Sequence, residues 1–244
     1  MVSTIKVLAF DVFGTVVDWH DTIARHVDSL SLPGADRSPI DGNAFALAWR
    51  AGYKPAMARV RSGELGWTRI DDLHRMILDD VLEQFGVPAS VANEAFRAEL
   101  NLIWHRLNGW PDASHGLGRL KSRHTITTLS NGNIGLLTAI AKHAALPWDC
   151  ILSAEVFRHY KPDPETYLGV ADIFAVDPSQ VMMVAAHKDD LRAAKACGLR
   201  TAYVERALEF GANPPAALVK DLSRDPAFDF HARDFEDLAD QLAA

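Results

Sequence analysis

The sequence predicts an α/β fold in which a doubly wound, Rossmann-like parallel sheet carries a block of helices inserted after its first strand. Short apolar runs without polar alternation recur along the chain, and such runs are typical of strands covered on both faces. Helical patterns separate several of these runs, and strand–helix alternation with right-handed crossovers builds a parallel sheet. Between the first two runs, from about residue 20 to 105, the pattern is helical throughout, which indicates an inserted unit.

The elements of the sheet follow from these runs in chain order. The predicted strands are residues 5–10, 125–129, 150–154, 181–185 and 200–204. Residues 133–145 and 189–199 have apolar residues at helical spacing and are predicted to connect strands as helices. Residues 211–227 are rich in proline and charge, which favours a surface connection before a last strand or a tail.

The inserted block is predicted to contain four helices, in residues 20–30, 43–60, 68–86 and 92–104. Gly86, followed by Val87 and Pro88, is a plausible stop for the third helix. We therefore predict a core domain of residues 1–18 and 107–244 and a helical cap domain of residues 19–106. A cap in this position would close over the active end of the sheet and exclude water.

Composition and charge exclude several classes of protein. The net charge is −7 over 244 residues, which argues against nucleic-acid binding because a phosphate backbone requires a basic face. The first residues are charged too soon to form a signal peptide or a membrane span. Cys150 and Cys197 lie far apart and form no metal-type pair, and Cys150 is interpreted as a core thiol in preference to a nucleophile. The sequence thus indicates a reduced, soluble, cytoplasmic protein.

Polar side chains that can carry chemistry follow four of the predicted strands. Asp11 follows the first strand, and Ser130 and Asn131 follow the second. Lys161 lies just past the third strand, where the ring of the next residue, a proline, restricts the backbone. Asp190 opens the helix that follows the fourth strand. Asp11 alone could equally be a turn cap, but functional groups of parallel sheets gather at the carboxyl ends of strands. The four positions together predict one site at this edge.

These residues occur in motifs that resemble those of the haloacid dehalogenase superfamily of hydrolases. D-V-F-G-T is similar to the first motif, S-N to the second and K-P-D to the third. D-L-R-A-A-K-A-C-G is similar to the helix of the fourth motif, and the helical block fills the usual insertion point of the cap. The resemblance spans residues 8 to about 205. It implies the fold more directly than the reaction, because one fold hosts many chemistries.

Phe13 favours one branch of the superfamily. Phosphatases of the superfamily carry a second aspartate at this position, which protonates the leaving alcohol, and phenylalanine cannot do so. They also bind magnesium through a Gly-Asp pair of the fourth motif, where this chain has Ala185 and Ala186. A halide leaves as a stable anion and needs no general acid. The pattern therefore resembles the 2-haloacid dehalogenase branch, which uses no metal or other cofactor.

The resemblance implies a role for each residue of the reaction centre. Asp11 would be the nucleophile that displaces halide and forms an ester, and Thr15 would help to hold it. Lys161 would keep Asp11 ionised, as a nearby cation should. Asp190 would orient or activate the water that cleaves the ester, and Tyr167 would support the site.

It implies substrate contacts as well. Ser130 would bind the substrate carboxylate, and Asn131 would contact the leaving halide. Arg50, in the sequence L-A-W-R, matches the arginine that attracts the substrate and contacts the halide. An ordinary surface arginine is the alternative interpretation of Arg50, with Arg59 and Arg61 as replacement candidates.

The fourth motif departs from its usual form in this branch, S-S-N-x-W-D, because this chain has A-A-H-K-D-D. His187 replaces the asparagine; it could bind substrate or halide, assist water, or tether Asp190. Asp189 replaces the aromatic residue that contacts the halide, and Phe13 or Trp19 could substitute for it. We hypothesise that this shifts preference toward small haloacetates.

The sequence thus predicts a metal-independent hydrolase that converts short 2-haloacids into 2-hydroxy acids and halide with inversion. A phosphatase with an acid from elsewhere is one alternative, and a non-catalytic member that binds a metabolite or a protein is another. Retention of Asp11, Lys161 and Asp190 argues against the second, since binding alone does not need this buried charge set. The expected partner is a small-molecule substrate, and the resemblance implies a possible homodimer.

Overall fold

The structure, a computed structural model, describes residues 4–32 and 38–243. The strands in these ranges are β1 Val7–Phe10, β2 Val17–Asp18, β3 Asn108–Gly109, β4 Thr125–Ser130, β5 Cys150–Ser153, β6 Val181–Ala185, β7 Arg200–Val204 and β8 Phe230–Ala232. The helices are α1 Trp19–Leu30, α2 Gly42–Ala51, α3 Tyr53–Arg61, α4 Ile70–Gln84, α5 Glu94–Asn101, α6 Ala113–Lys121, α7 Ile134–His143, α8 Ala154–Phe157, α9 Pro164–Ile173, α10 Lys188–Ala196 and α11 Phe235–Ala243.

Six strands form one parallel sheet in the order β5-β4-β1-β6-β7-β8. The first strand lies in the interior of this order, and Ala9 pairs with Thr127 on one side and Met183 on the other. The order reverses between β1 and β6, which is the position where open α/β sheets bind ligands. The predicted α/β fold with a parallel sheet is confirmed.

The two faces of the sheet are covered by different helices. Leu8 and Phe10 of β1 belong to one apolar cluster, which includes residues of α6, α7 and α11. Val7 and Ala9 point to the opposite face and belong to a second cluster with residues of α9 and α10. Alternation along a strand sends successive side chains to opposite faces, so β1 is buried on both.

The helical block α1–α5 leaves and rejoins the sheet region through a small antiparallel pair. Val17 of β2 pairs with Gly109 of β3, next to the predicted boundaries of the block. Trp49 and Trp104, from within the block, belong to the same apolar cluster as Leu8. The block therefore packs directly on the sheet region. Its division from the core at residues 19 and 106 stays a prediction.

The structure corrects several predicted bounds. The helix predicted over residues 43–60 is two helices, α2 and α3, separated at Gly52. Pro55 lies three residues beyond this break and has no N–H to donate to the preceding turn, so it fits only the first turn of a new helix. The helix predicted over 92–104 ends at Asn101 and continues as a 3₁₀ turn, Leu102–Arg106.

Other elements were absent from the sequence interpretation. These are β2, β3, α6, α8, α9 and α11. The last strand expected after residues 211–227 is present as β8. Among the described residues, none of the helices is both long and apolar enough to span a lipid bilayer.

Candidate active site

Asp11 follows β1 directly and lies at the carboxyl edge of the sheet. Gly14, with a φ of +83°, turns the chain back so that Thr15 approaches Asp11. The Thr15 hydroxyl donates a hydrogen bond to Asp11 Oδ2 at 2.7 Å and accepts one from the backbone N–H of Ala186 at 2.9 Å. Because Thr15 Oγ1 already accepts that bond, its own proton is directed at the Asp11 carboxylate.

Lys161 lies between two carboxylates. Its ammonium donates to Asp11 Oδ1 at 2.9 Å and also to Asp190 Oδ2. The backbone N–H of Lys161 donates to Asn131 Oδ1 at 2.8 Å, which fixes the segment that carries the lysine. The other oxygen of Asp190 accepts the Tyr167 hydroxyl at 2.6 Å.

The two carboxylates differ in basicity. Burial alone raises the pKa of Asp11, but the charges of Lys161 and His187 outweigh burial and hold that pKa well below its usual range. Burial raises the pKa of Asp190 by more than Lys161 lowers it. Asp11 is therefore an ionised, weakly basic carboxylate, and Asp190 is the better proton acceptor. Separation of two neighbouring pKa values in this way is typical of groups with different catalytic tasks.

His187 precedes α10 and contacts Asp11 and one further carboxylate, Glu209. Its Nδ1 lies 3.0 Å from Asp11 Oδ2, and its Nε2 lies 2.8 Å from Glu209 Oε1. Burial lowers the pKa of His187, but Glu209 and Asp11 together raise it to about 9. The imidazole is thus a cation at neutral pH. The expected tether to Asp190 is not its role, because both ring nitrogens face other carboxylates.

A cavity of about 350 Å³ opens beside these groups. Eight of the ten predicted site residues line it: Asp11, Phe13, Arg50, Asn131, Lys161, Tyr167, His187 and Asp190. The guanidinium carbon of Arg50 lies 4.3 Å from the centre of the Tyr53 ring, and the buried Arg50 Nε has no hydrogen-bond partner among the described residues. The cavity thus brings the Asp11 carboxylate together with a cation from the helical block.

The other two predicted residues lie behind the cavity wall. Thr15 contacts Asp11 from there, as described above. Ser130 is fully buried, and its hydroxyl accepts the backbone N–H of Gly132 at 3.2 Å. Its expected contact with a substrate carboxylate stays a prediction. Trp19, one of two candidates for an aromatic halide contact, is also fully buried, whereas Phe13 faces the cavity.

The mouth of the cavity is bridged by ion pairs between α3 and the core. Arg61 pairs with Asp163 at 2.6 Å, and Lys54 lies 3.5 Å from Asp189. Arg61 also lines the cavity, but its charge is already paired with Asp163. Arg59, the other replacement candidate, pairs with Glu64 on the exposed side of the same helix. Arg50 is the better-placed arginine for a substrate anion.

Sequence reasoning missed Tyr53 and Glu209. On the single helix predicted over 43–60, Tyr53 would share a face with Arg50, three residues before it, and this spacing could have indicated Tyr53, although the two lie on separate helices. Glu209 lies in an irregular segment after β7, and its only signal was proximity to the carboxyl end of a strand. The described residues include no group of three or more His, Cys, Asp or Glu side chains placed to hold a metal ion.

The arrangement suits nucleophilic substitution on a small anion. Asp11 is ionised and held by three donors, Arg50 offers an unpaired cation on the cavity, and Asp190 is placed to accept a proton. A covalent ester on Asp11 could then be cleaved by water in the same cavity.

Comparison with known proteins identifies the family. The model of the haloacid dehalogenase-like hydrolases matches residues 5–198. An (S)-2-haloacid dehalogenase 4A of Burkholderia cepacia is 30% identical over 224 residues, which cover 88% of this chain and 87% of that protein.

Solved structures agree with this match. A defluorinating L-2-haloacid dehalogenase superposes with a TM-score of 0.90 at 40% identity, covering 98% of this chain and 96% of that one. The L-2-haloacid dehalogenase of Xanthobacter autotrophicus, solved with chloropropionic acid covalently bound, has a TM-score of 0.81 at 25% identity, with 99% of each chain covered. This chain belongs to the family of haloacid dehalogenase-like hydrolases.

Proposed function

We propose that this protein hydrolyses short 2-halocarboxylic acids to 2-hydroxy acids and halide through an ester on Asp11. The observation that carries the proposal is the triad in which Lys161 joins Asp11 to Asp190 at the floor of a small cavity. The relatives described as (S)-2-haloacid dehalogenases, which match most of the chain, support the same reaction.

In the first step an oxygen of Asp11 attacks the carbon that bears the halogen, from the side opposite the carbon–halogen bond. The new carbon–oxygen bond takes its electron pair from the carboxylate, and the halide leaves with the pair of the broken bond. Inversion follows from this geometry, so an S substrate gives an R product. No proton is transferred, which fits Phe13 in place of a general acid.

In the second step water attacks the carbonyl carbon of the ester. Asp190 accepts a proton from that water because its pKa is raised, and the alkoxide of the product leaves and takes up this proton from Asp190. The second proton of the water passes to solvent. The Asp11 carboxylate is restored with one oxygen that came from water. Tyr167 and Lys161 hold the two oxygens of Asp190 and set its direction.

Substrate binding requires a cation for the carboxylate and donors for the departing halide. Arg50 projects its guanidinium over Tyr53 into the cavity, and Asn131 also lines the cavity, next to Lys161. The modest volume of the cavity favours substrates of two or three carbons. A relative at 40% identity that is described as defluorinating makes fluoroacetate a substrate worth including. A cytoplasmic location, a helical cap domain and a homodimer belong to the same proposal.

The test is halide release from fluoroacetate, chloroacetate, bromoacetate and both enantiomers of 2-chloropropionate, in the presence of a chelator. We expect release by the native protein and none above background by Asp11→Ala, because no other carboxylate takes its position. Asp240→Asn, which changes an exposed acid far from the cavity, is the control and should keep full activity. Turnover by Asp11→Ala would reject Asp11 as the nucleophile.

A single turnover in ¹⁸O-labelled water, with enzyme in excess, separates this route from direct attack by water. We expect the label in the peptide that contains Asp11 and an unlabelled 2-hydroxy acid. Label in the product after one turnover would exclude the ester. Release of phosphate from esters only with magnesium, without halide release, would favour the phosphatase instead.

A further inference from the structure

Glu209 is a fully buried carboxylate that does not line the cavity. Its Oε1 accepts from His187 Nε2 at 2.8 Å and from the Trp19 indole N–H at 3.5 Å. Its Oε2 accepts from the Lys220 ammonium at 2.6 Å, and Lys220 also donates to the carbonyl of Ala186 at 2.8 Å. Both oxygens of a carboxylate without solvent contact are thus used.

The surrounding chain is shaped to admit this carboxylate. A Cβ atom on Gly14 would overlap the Glu209 side chain, so the glycine of D-V-F-G-T leaves the space that Glu209 fills. Burial raises the pKa of Glu209, but His187 and Lys220 outweigh it and hold that pKa at about 2. Placing a charge in the interior costs several kcal/mol unless it is paired, so this group is tied to its two cations.

His187 is held between two anions, and this fixes its protonation. A ring nitrogen that faces a carboxylate must carry a proton to form a hydrogen bond, and both nitrogens of His187 do so. The ring is therefore an imidazolium with Nδ1–H directed at Asp11 Oδ2. That oxygen accepts from Thr15 as well, whereas Asp11 Oδ1 accepts from Lys161.

The difference between the two oxygens of Asp11 indicates which one reacts. Oδ2 has two donors, which occupy its lone pairs, and Oδ1 has one donor and keeps a lone pair for attack. The ester then forms through Oδ1, and Oδ2 becomes its carbonyl oxygen. When water adds to the carbonyl carbon, negative charge develops on Oδ2, between Thr15 O–H and His187 Nδ1–H. Donors aimed at a developing oxyanion give one of the largest catalytic contributions.

We propose that Glu209 is a positioning residue that keeps His187 doubly protonated in the ester intermediate, so that His187 and Thr15 stabilise the oxyanion on Asp11. This inference rests on the proposed dehalogenation through an Asp11 ester. The electron pair of the carbonyl moves onto Oδ2 as water adds, one water proton passes to Asp190, and the pair returns as the product alkoxide leaves.

Glu209 matters most after the ester has formed. In the free enzyme His187 faces two anions, Asp11 and Glu209, with Asp189 nearby on α10. Esterification neutralises Asp11 and leaves Glu209 as the direct counter-charge. The cations Lys161 and Lys220 remain close, on the far sides of Asp11 and Glu209. Without Glu209, these two cations would promote loss of the His187 proton in the ester intermediate.

The experiment compares native protein with Glu209→Gln, which keeps the shape and removes the charge. Rapid mixing with chloroacetate should give a burst of one equivalent of chloride in both proteins. The later steady rate of the variant should be about 100-fold lower, the loss typical of one oxyanion donor. Intact mass spectrometry should then show the ester accumulating in the variant, and its kcat should fall with rising pH at a lower midpoint than in the native protein.

Two controls separate positioning from folding. Glu205→Gln removes a carboxylate from another histidine, His231 at 2.7 Å, outside the cavity, and should change neither phase. Glu209→Gln with Lys220→Gln removes both buried charges, so it leaves no unpaired lysine. If Glu209 acts on His187, the double variant keeps the slow ester cleavage even where its melting temperature recovers.

Three results would overturn the inference. A native steady rate in Glu209→Gln would show that His187 needs no charged partner, and the dehalogenase function would stand. Recovery of the steady rate in the double variant would mean that Glu209 only neutralises Lys220. An equal loss in the burst rate and the steady rate, without accumulation of the ester, would show that Glu209 supports the stability of the protein and not ester cleavage. No halide release by the native protein would reject the function itself and this inference with it.

Discussion

At the scale of single residues, two neighbouring carboxylates that share the cation Lys161 differ in basicity. Lys161 contacts both Asp11 and Asp190, whose side chains are 10% and 11% exposed, yet the pKa of Asp11 is lowered and that of Asp190 is raised. His187 adds a second positive charge beside Asp11 and not beside Asp190. The two pKa values therefore differ because Asp11 has two cations beside it and Asp190 has one.

Lys161→Met tests this interpretation. The pKa of Asp11 is depressed in the native protein, so Asp11 stays ionised and active as the pH falls through the usual carboxylate range. Without Lys161 the pKa of Asp11 rises, so residual activity should fall on the acid side at a higher pH than in the native protein. We expect kcat/KM at pH 7 to drop by about 100-fold or more, as for other preorganised charges.

The measurement is kcat/KM for chloroacetate between pH 4 and 9. Lys195→Met is the matched control, because Lys195 lies exposed on the same helix as Asp190 and should leave the profile unchanged. An acid limb at the native position in Lys161→Met would show that His187 alone depresses the pKa of Asp11.

At the scale of elements, the turn between β1 and β2 determines the geometry of the Asp11 carboxylate. Gly14 adopts a left-handed φ, which lets Thr15 return toward Asp11 while Glu209 occupies the space behind the glycine. The turn therefore has two separate requirements for glycine, one in the backbone and one in the available space.

Gly14→Ala should destabilise the protein and disturb catalysis. Strain from the positive φ and overlap with Glu209 should together lower the free energy of unfolding by about 2–4 kcal/mol. Displacement of Glu209 should also slow ester cleavage. Urea unfolding and the steady-state rate measure the two effects.

Gly63→Ala separates the two causes. Gly63 has nearly the same φ, +82°, but nothing lies within 4 Å of the position of its Cβ. It should lower stability by about 1 kcal/mol from backbone strain alone and leave the rate unchanged. If the two variants lose equal stability, overlap between a Cβ atom at position 14 and Glu209 does not contribute to the loss.

Elements also show where sequence reasoning succeeded and failed. The four strands that end at site residues could be predicted because each is a short apolar run flanked by polar residues. The helix over 43–60 was wrong as one element, since apolar spacing continues across Gly52 although Pro55 requires a new first turn. The spacing of apolar residues indicates which side chains are buried, but it does not indicate whether the helix that carries them is continuous.

At the scale of the whole molecule, one largely buried ion pair connects distant parts of the chain around Asp11. Arg206 donates through both terminal nitrogens to Asp112, at 2.9 and 2.8 Å, and through Nε to the carbonyl of Thr15 at 2.8 Å. Asp112 also accepts the backbone N–H of Phe235 at 2.8 Å. The pair thus joins the nucleophile turn to the segments that begin α6 and α11.

Arg206→Lys should weaken this junction. Lysine keeps the charge but cannot bind Asp112 through two nitrogens and Thr15 through a third. We expect a loss of about 2 kcal/mol, the range for lost hydrogen bonds to charged groups, and a lower urea midpoint. Arg59→Lys changes an exposed pair with Glu64 and should cost less than about 1 kcal/mol. Equal midpoints for the two variants would contradict a special role for Arg206.

The sequence by itself determined the sheet and the site at its edge. Asp11, Lys161 and Asp190 could be placed together because parallel strands end at one edge, so residues that follow different strands must meet there. The family resemblance, with Phe13 in place of a second aspartate and Ala185-Ala186 in place of a Gly-Asp pair, favoured dehalogenation over phosphate chemistry. The local sequence pattern carries this information because runs of buried residues identify the strands, and the order of parallel strands limits where the residues after them can lie.

Only the tertiary structure decided the partners of His187. Its contact with Asp11 rather than Asp190, and the pairing of Glu209 with Lys220, depend on irregular segments after β7. Such segments have no periodicity, so their side chains are placed by packing and by the need to pair buried charge. The sequence therefore determined where the chemistry lies, and the folded chain determined which charges surround the nucleophile.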